Sequence, residues 1–134
     1  MEELRTIKQP PCIMVVDDEK SILELLTRFL ESEGYRVITT SNSQSALALL
    51  KEQRPDLLIL DIMMPEPNGL VILHHVRQHS DVPVIILTAR EEDTIVQSSI
   101  IVGANDYVKK PFNLPELLSK IRVNLECASS KKNH

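Results

Sequence analysis

Ile13-Met14-Val15-Val16-Asp17-Asp18 is the stretch whose reading decides the fold. Four apolar residues run straight into two carboxylates. A short continuous apolar run of this kind reads as a strand covered on both faces, as in a parallel sheet. The design recurs twice. Leu57-Leu58-Ile59-Leu60 runs into Asp61, and Asp106-Tyr107-Val108-Lys109 runs into Lys110-Pro111. The intervals between them leave room for helical crossovers. In open parallel sheets, ligands bind outside the carboxyl ends of the strands. Three carboxylates and one ammonium, far apart in sequence, are therefore expected in one crevice. Clustered carboxylates repel one another, and a hard divalent cation relieves that cost. The combination points to phosphoryl chemistry.

Outward from these runs, strands and helices alternate. A helix is predicted from about Lys20 to Glu33, with Ile22, Leu25, Leu26, Phe29 and Leu30 at helical spacing and Gly34 as its stop. Asp18 is expected to cap it. Tyr35–Thr40 reads as a more polar edge strand. Ser43–Gln53 reads as a helix with Ala46, Leu47, Leu49 and Leu50 inward, stopped by Arg54-Pro55. Asp56–Leu60 reads as the central strand, followed by a proline-containing loop over 62–68 and a helix over Gly69–His79. A strand is predicted at Val82–Leu87, a helix at Glu91–Val102 closed by Gly103, a strand at Asp106–Lys109, and a last helix from Leu114 to about Glu126. Five strands alternating with five helices predict an α/β fold: a doubly wound parallel sheet with right-handed crossovers and helices on both faces. Residues 1–11 read as a polar leader, 12–126 as one domain, and 127–134 as a solvated tail or linker stub.

The bulk numbers agree with this. A chain of 134 residues suits one domain, and 43% hydrophobic with 25% charged residues reads as globular. A net charge of −4 argues against direct nucleic-acid contact. No apolar run approaches the roughly 20 residues of a membrane span, and Met1-Glu2-Glu3-Leu4-Arg5 lacks a signal-peptide core. The expected location is the cytoplasm. Cys12 and Cys127 are then two reduced thiols, not a disulfide framework. His74, His75 and His79 read as surface residues.

Each candidate residue has a bland alternative. Asp17 and Asp18 could be a loop residue and a helix cap. They repel phosphate and attract a cation, where a flavin or dinucleotide site would offer glycines and free N–H groups. Asp61 could be a turn residue. At the end of the most buried strand it can also serve as a nucleophile that forms an acyl phosphate. Thr88 could be strand filler, or its hydroxyl could donate to an anion beside the small Ala89. Lys109 and Lys110 compete as the site ammonium, because side chains alternate along a strand and only one of the pair should point inward. Tyr107 is either core filler or a ring that swings between buried and exposed positions.

Taken together, these residues resemble the receiver domain of two-component response regulators. The matching pieces are Val15-Val16-Asp17-Asp18-Glu19, Asp61-Ile62-Met63-Met64-Pro65 with Gly69, Thr88-Ala89-Arg90, Gly103-Ala104-Asn105-Asp106-Tyr107 and Lys110-Pro111-Phe112. They cover about residues 11–126. The style is that of the winged-helix DNA-binding (OmpR/PhoB-like) group. The resemblance implies a (βα)5 flavodoxin-like, CheY-like fold with strand order 2-1-3-4-5. It implies that Asp61 accepts a phosphoryl group from a sensor histidine kinase. Asp17, Asp18, Asp61 and the backbone carbonyl of Met63 would bind Mg²⁺, or Mn²⁺. Thr88, the backbone N–H of Ala89 and Lys110 would contact the phosphoryl oxygens, and Lys110 is preferred to Lys109 because the family lysine directly precedes the proline. Thr88 and Tyr107 would form the switch. The face made by the fourth predicted helix, the fifth strand and the last helix would carry output or a homodimer through Asp106, Glu116, Lys120, Arg122, Ile100 and Ile101. The apolar run Ile100-Ile101-Val102 implies a dimer less sensitive to salt than in that group. Met63 and Arg90 are unsuited to orienting an attacking water, which implies slow self-dephosphorylation. Such a domain is a switch, not a turnover enzyme. Alternatives are a stand-alone receiver, a non-phosphorylated interaction module, an aspartyl-nucleophile hydrolase and a flavin carrier. The hydrolase lacks its second Asp, since Met63 stands in that place.

Overall fold

The computed structural model describes residues 10–62, 64, 69–89 and 103–132. Its strands are β1 (Cys12–Val16), β2 (Arg36–Thr40), β3 (Leu57–Asp61), β4 (Val84–Thr88) and β5 (Asp106–Lys109). The helices among the described residues are α1 (Lys20–Ser32), α2 (Ser43–Gln53), α3 (Gly69–His79) and α4 (Leu114–Lys132). All strand pairs are parallel, and the order is β2-β1-β3-β4-β5. The predicted helix over 91–102 lies outside the described residues.

Period-two alternation divides the core. Met14, Val16, Leu58, Leu60, Val84 and Ile86 point to one face, under α2 and α3. Ile13, Val15, Leu57, Ile59, Ile85, Leu87 and Val108 point to the other, under α1 and α4. The central strands β1, β3 and β4 are buried along their whole length, which is why their sequences are apolar at every position up to the terminal Asp61 and Thr88. The edge strand β2 is half exposed, as its mixed sequence Arg-Val-Ile-Thr-Thr requires.

Local signals set most boundaries. Gly34, at φ +94°, ends α1: its N–H reaches Glu31 O at 3.0 Å while Tyr35 N reaches Leu30 O at 3.1 Å, the paired bonds of a glycine C-cap. Asn42 caps α2 by accepting from Gln44 N at 2.8 Å and Ser45 N at 3.4 Å. Asn113 Oδ1 accepts from Glu116 N at 3.0 Å at the start of α4.

Beyond one-residue shifts at element ends, three details depart from the sequence reading. Asp18 does not cap α1: the cap position is Glu19, and the carboxylate that accepts Glu19 N–H, at 2.9 Å, is Asp17 Oδ1. β4 begins at Val84 instead of Val82, because Pro83 has no N–H to give the ladder. α4 continues to Lys132, past the expected end near Glu126; the apolar periodicity stops there, but a run without proline or glycine keeps helical geometry.

Candidate functional site

Strands β1, β3, β4 and β5 end along one edge of the sheet, and residues at or just past their ends meet. Asp17 follows β1, and Asp61 is the last residue of β3, paired with Leu87 of β4. Lys110 follows β5, whose Lys109 pairs with Thr88. The backbone continues the ladder past the strands: Asp17 N reaches Thr40 O at 3.2 Å, Ile62 N reaches Leu87 O at 3.0 Å, and Lys110 N reaches Thr88 O at 2.7 Å. These bonds fix the site backbone from three sides.

The side chains gather as expected. One carboxylate oxygen each of Asp17, Asp18 and Asp61 lies within 4.8 Å of the others. Asp17 is fully buried, Asp61 nearly so, and Asp18 is exposed. Lys110 Nζ sits among them, 2.9 Å from Asp17 Oδ2 and 3.2 Å from Asp61 Oδ2. Its partner Lys109 is exposed, so alternation along β5 sends one lysine of the pair into the crevice. Thr88 is buried beside these groups, at the end of β4. The Lys110-Pro111 peptide is cis.

Glu19 is a site residue that sequence reading quoted without a role. Its Oε1 lies 3.1 Å from Lys110 Nζ. The crevice thus holds four carboxylates, three of them paired with one ammonium. Burial pushes the Asp17 carboxyl above its usual range; Lys110 and the Glu19 N–H pull it back only in part, and Asp61 adds repulsion. Burial alone would lower the Lys110 ammonium, yet the bonds and charges of Asp17, Asp61 and Glu19 outweigh it and hold the ammonium well above its usual range. Asp17 Oδ2 is buried without an aligned hydrogen bond, although the Lys110 charge is close. An all-oxygen, acidic donor set with one such under-satisfied oxygen suits a hard divalent cation.

The wall behind Asp61 is backbone. Gly69 N reaches Ile62 O at 3.2 Å, and a Cβ on Gly69 would stand 2.5 Å from Ile62 Cα and 2.7 Å from Asp61 O. Only glycine lets α3 start so close to the strand end.

The remaining predicted residues divide. Tyr107 is 41% exposed, not core filler, and the Lys120 ammonium lies 5.2 Å from its ring centroid. Lys120 also donates to Tyr107 O at 2.7 Å and pairs with Asp106 at 3.2 Å. Asp106, Tyr107 and Lys120 therefore form one group across β5 and α4. Arg122 lies elsewhere and reaches Glu33 at the end of α1, at 3.2 Å. Glu116 is exposed in the first turn of α4. Met63, Arg90, Ile100, Ile101 and Val102 fall outside the described residues.

Comparison with known proteins gives the same identification. The family model of the response regulator receiver domain matches residues 13–122. The transcriptional regulatory protein YvrH of Bacillus subtilis is 41% identical over 115 residues, covering 85% of this chain and 48% of that protein. The probable transcriptional regulator ycf27 of Porphyra purpurea is 44% identical over 116 residues, with 87% and 48% covered. The chain spans about half the length of the curated relatives it matches. Among solved structures, a putative response regulator from Chloroflexus aurantiacus superposes with a TM-score of 0.83 at 32% identity, covering 87% of this chain and 98% of that one. A CheY-like receiver domain protein from Methanospirillum hungatei gives a TM-score of 0.86 at 28% identity, with 91% and 98% covered. With the acidic crevice at the strand ends and a family match over most of its length, this chain belongs to the receiver domain family of two-component response regulators.

Proposed function

We propose that this receiver takes a phosphoryl group on Asp61 from the phosphohistidine of a sensor histidine kinase, and that Asp17, Asp18 and Asp61 hold the Mg²⁺ this requires. The observation that carries the proposal is the meeting of three carboxylates within 4.8 Å, with Lys110 at 2.9 Å and 3.2 Å from two of them. Mn²⁺, equally suited to oxygen ligands, can replace Mg²⁺. The bound cation supplies charge neutralisation and orientation of phosphoryl oxygens.

The chain's own residues do the rest. Asp61 Oδ attacks phosphorus; the P–N bond to the kinase histidine breaks, and its electron pair leaves with the imidazole. Lys110 turns from the carboxylates toward the new phosphoryl oxygens, where its charge offsets the added negative charge. The Thr88 hydroxyl and the Ala89 N–H donate to the other oxygens. Positioning and charge, not covalent chemistry by further residues, make up the catalysis. The product is a switch state and not a released substrate.

The output follows from movement at the same site. Thr88, drawn to the phosphoryl group, vacates space into which Tyr107 turns, and the exposed group of Asp106, Tyr107 and Lys120 is remodelled. This is a shift between two populations of one fold. Because the relatives are transcriptional regulators about twice as long, transcription is the proposed output, through a further domain or a homodimer on this face together with Glu116. The proposed location is the cytoplasm, which follows from the receiver reading; no helix among the described residues is long and apolar enough to cross a membrane.

The test is incubation with Mg²⁺ and acetyl phosphate, read by intact mass. One phosphoryl group should be gained, dependent on metal and absent in Asp61→Asn. No gain in a folded protein that still binds Mg²⁺ and is presented with a phosphorylated kinase would favour an unphosphorylated interaction module.

A further inference from the structure

Tandem lysines leave an ambiguity that the fold has to resolve. β5 is a four-residue edge strand, and Val108 is its one buried side chain. Register is weakly specified where so little faces the core. A slip that carried Lys109 into the core slot of Val108 would bury a charge and prevents itself. The opposite slip is cheap. It seats Tyr107 in the slot of Val108 and brings Lys109 to the place of Lys110. An aromatic ring would fill the core, and an ammonium would still face the carboxylates.

A lock against that slip stands at the other end of the strand. Asn105 exchanges two bonds with Val84: its N–H reaches Val84 O at 2.8 Å, and its Oδ1 accepts Val84 N–H at 2.8 Å. Arg77, at the end of α3, donates from Nη2 to the same Oδ1 at 2.8 Å. Its Nε donates to Gly103 O at 2.8 Å and its Nη1 to Ser80 O at 3.2 Å. All three guanidinium nitrogens are spent on this corner. Gly103 fits there because its φ is +130° and a Cβ would stand 2.7 Å from Arg77 Cγ. After the cheap slip Ala104 would occupy the place of Asn105. Alanine has no acceptor for the buried Val84 N–H or for Arg77, so both would be left unpaired.

We propose that Arg77 and Asn105 are positioning residues that lock the register of β5 on β4 and so deliver Lys110, instead of Lys109, to the carboxylates. What Lys110 does there rests on the phosphoacceptor reading above; the register lock does not. Neither residue touches the crevice.

The test compares Asn105→Ala, Asn105→Asp and Arg77→Ala in the full chain, with inter-strand proton contacts by NMR and the rate of phosphorylation by acetyl phosphate. In the wild type Leu87 faces Val108 across the strands. Asn105→Ala and Arg77→Ala should add contacts between Leu87 and Tyr107. Asn105→Asp, which keeps the acceptor, should retain the wild-type pattern. Lys109→Ala should change the wild-type rate by less than about twofold but lower the rate of Asn105→Ala by about fivefold, since sites that share a function are non-additive. Unshifted contacts in Asn105→Ala, with no response to Lys109→Ala, would overturn the lock. Asn105→Ala decides alone should Arg77→Ala fail to fold. A normal rate in Lys110→Ala would remove the role given to Lys110 and leave the NMR contacts to decide the register.

Discussion

Asp17 concentrates the conflict between folding and function. It is fully buried, shares Lys110 with two other carboxylates, and its carboxyl is held above the usual range, first by burial. A carboxyl whose folded pKa is raised binds its proton more tightly in the native state than in the unfolded chain. Its contribution to stability is therefore greatest below the unfolded value of 3.8 and is lost as pH rises through the higher folded value. At neutral pH ionised Asp17 weakens the fold. Asp17→Asn should raise the metal-free melting temperature at pH 7 by roughly 3–5 °C, the equivalent of about 1 kcal/mol for a domain of this size. The gain should vanish near pH 4. Thermal unfolding of both proteins in chelator at the two pH values checks this, and a variant no more stable at pH 7 would contradict it. At this scale, much of the site was legible in sequence because Asp17, Asp61 and Lys110 sit at or just past the end of a strand, and strand ends are readable from apolar runs. Glu19 was not, since its part depends on where the Lys110 side chain comes to lie. That Asp17 and not Asp18 accepts the Glu19 N–H depends on local backbone geometry that composition does not encode.

α3 is the element through which packing reaches the chemistry. It starts against the backbone of Asp61 and Ile62 at Gly69, and carries Arg77 in its last turn. Gly69→Ala would place a methyl within 2.5 Å of Ile62 Cα, and backbone on both sides cannot swing away as a long side chain can. It is expected to cost about 1–3 kcal/mol, as overpacking does, and to slow phosphorylation of Asp61 by displacing its carbonyl. Urea unfolding and the acetyl phosphate rate measure the two effects; a stable variant of normal rate would show that α3 is free to retreat. Whole elements were the most legible level. α2, α3 and β5 have their predicted bounds, because Asn42, Arg54-Pro55, Gly69 and Gly103 punctuate the chain at places where the backbone needs them. The last helix was cut short in the reading, because apolar periodicity reports burial, and a helix can outrun the core that stabilises it. Pairing of Lys120 with Asp106, and of Arg122 with Glu33, was beyond reach for a similar reason: both lysine and arginine lie on one helix, and only the packing of α4 decides which neighbour each one meets.

Over the whole molecule, a well-packed frame holds a strained centre. Two apolar clusters sandwich the sheet, so the strand ends cannot spread to separate the carboxylates. Three acidic groups share one ammonium there, Asp18 adds a fourth carboxylate beside them, and Asp17 Oδ2 is under-satisfied. A divalent cation that binds the folded crevice and not the dispersed carboxylates of the unfolded chain must stabilise the fold by mass action. The gain is about 2.7 kcal/mol at one hundred times the dissociation constant, or roughly 8–14 °C in melting temperature. Screening by salt acts on the same repulsion but more weakly, because Asp17 and Asp61 are buried and close. Mg²⁺ should therefore raise the melting temperature well beyond NaCl of equal ionic strength. Asp17→Asn, already relieved of one charge, should start higher and gain less, so that the two proteins converge as Mg²⁺ is added. Equal gains from Mg²⁺ and from NaCl would mean that the cluster is screened and not ligated. Equal increments in the two proteins would take Asp17 out of the cation site and leave its burial unexplained by metal.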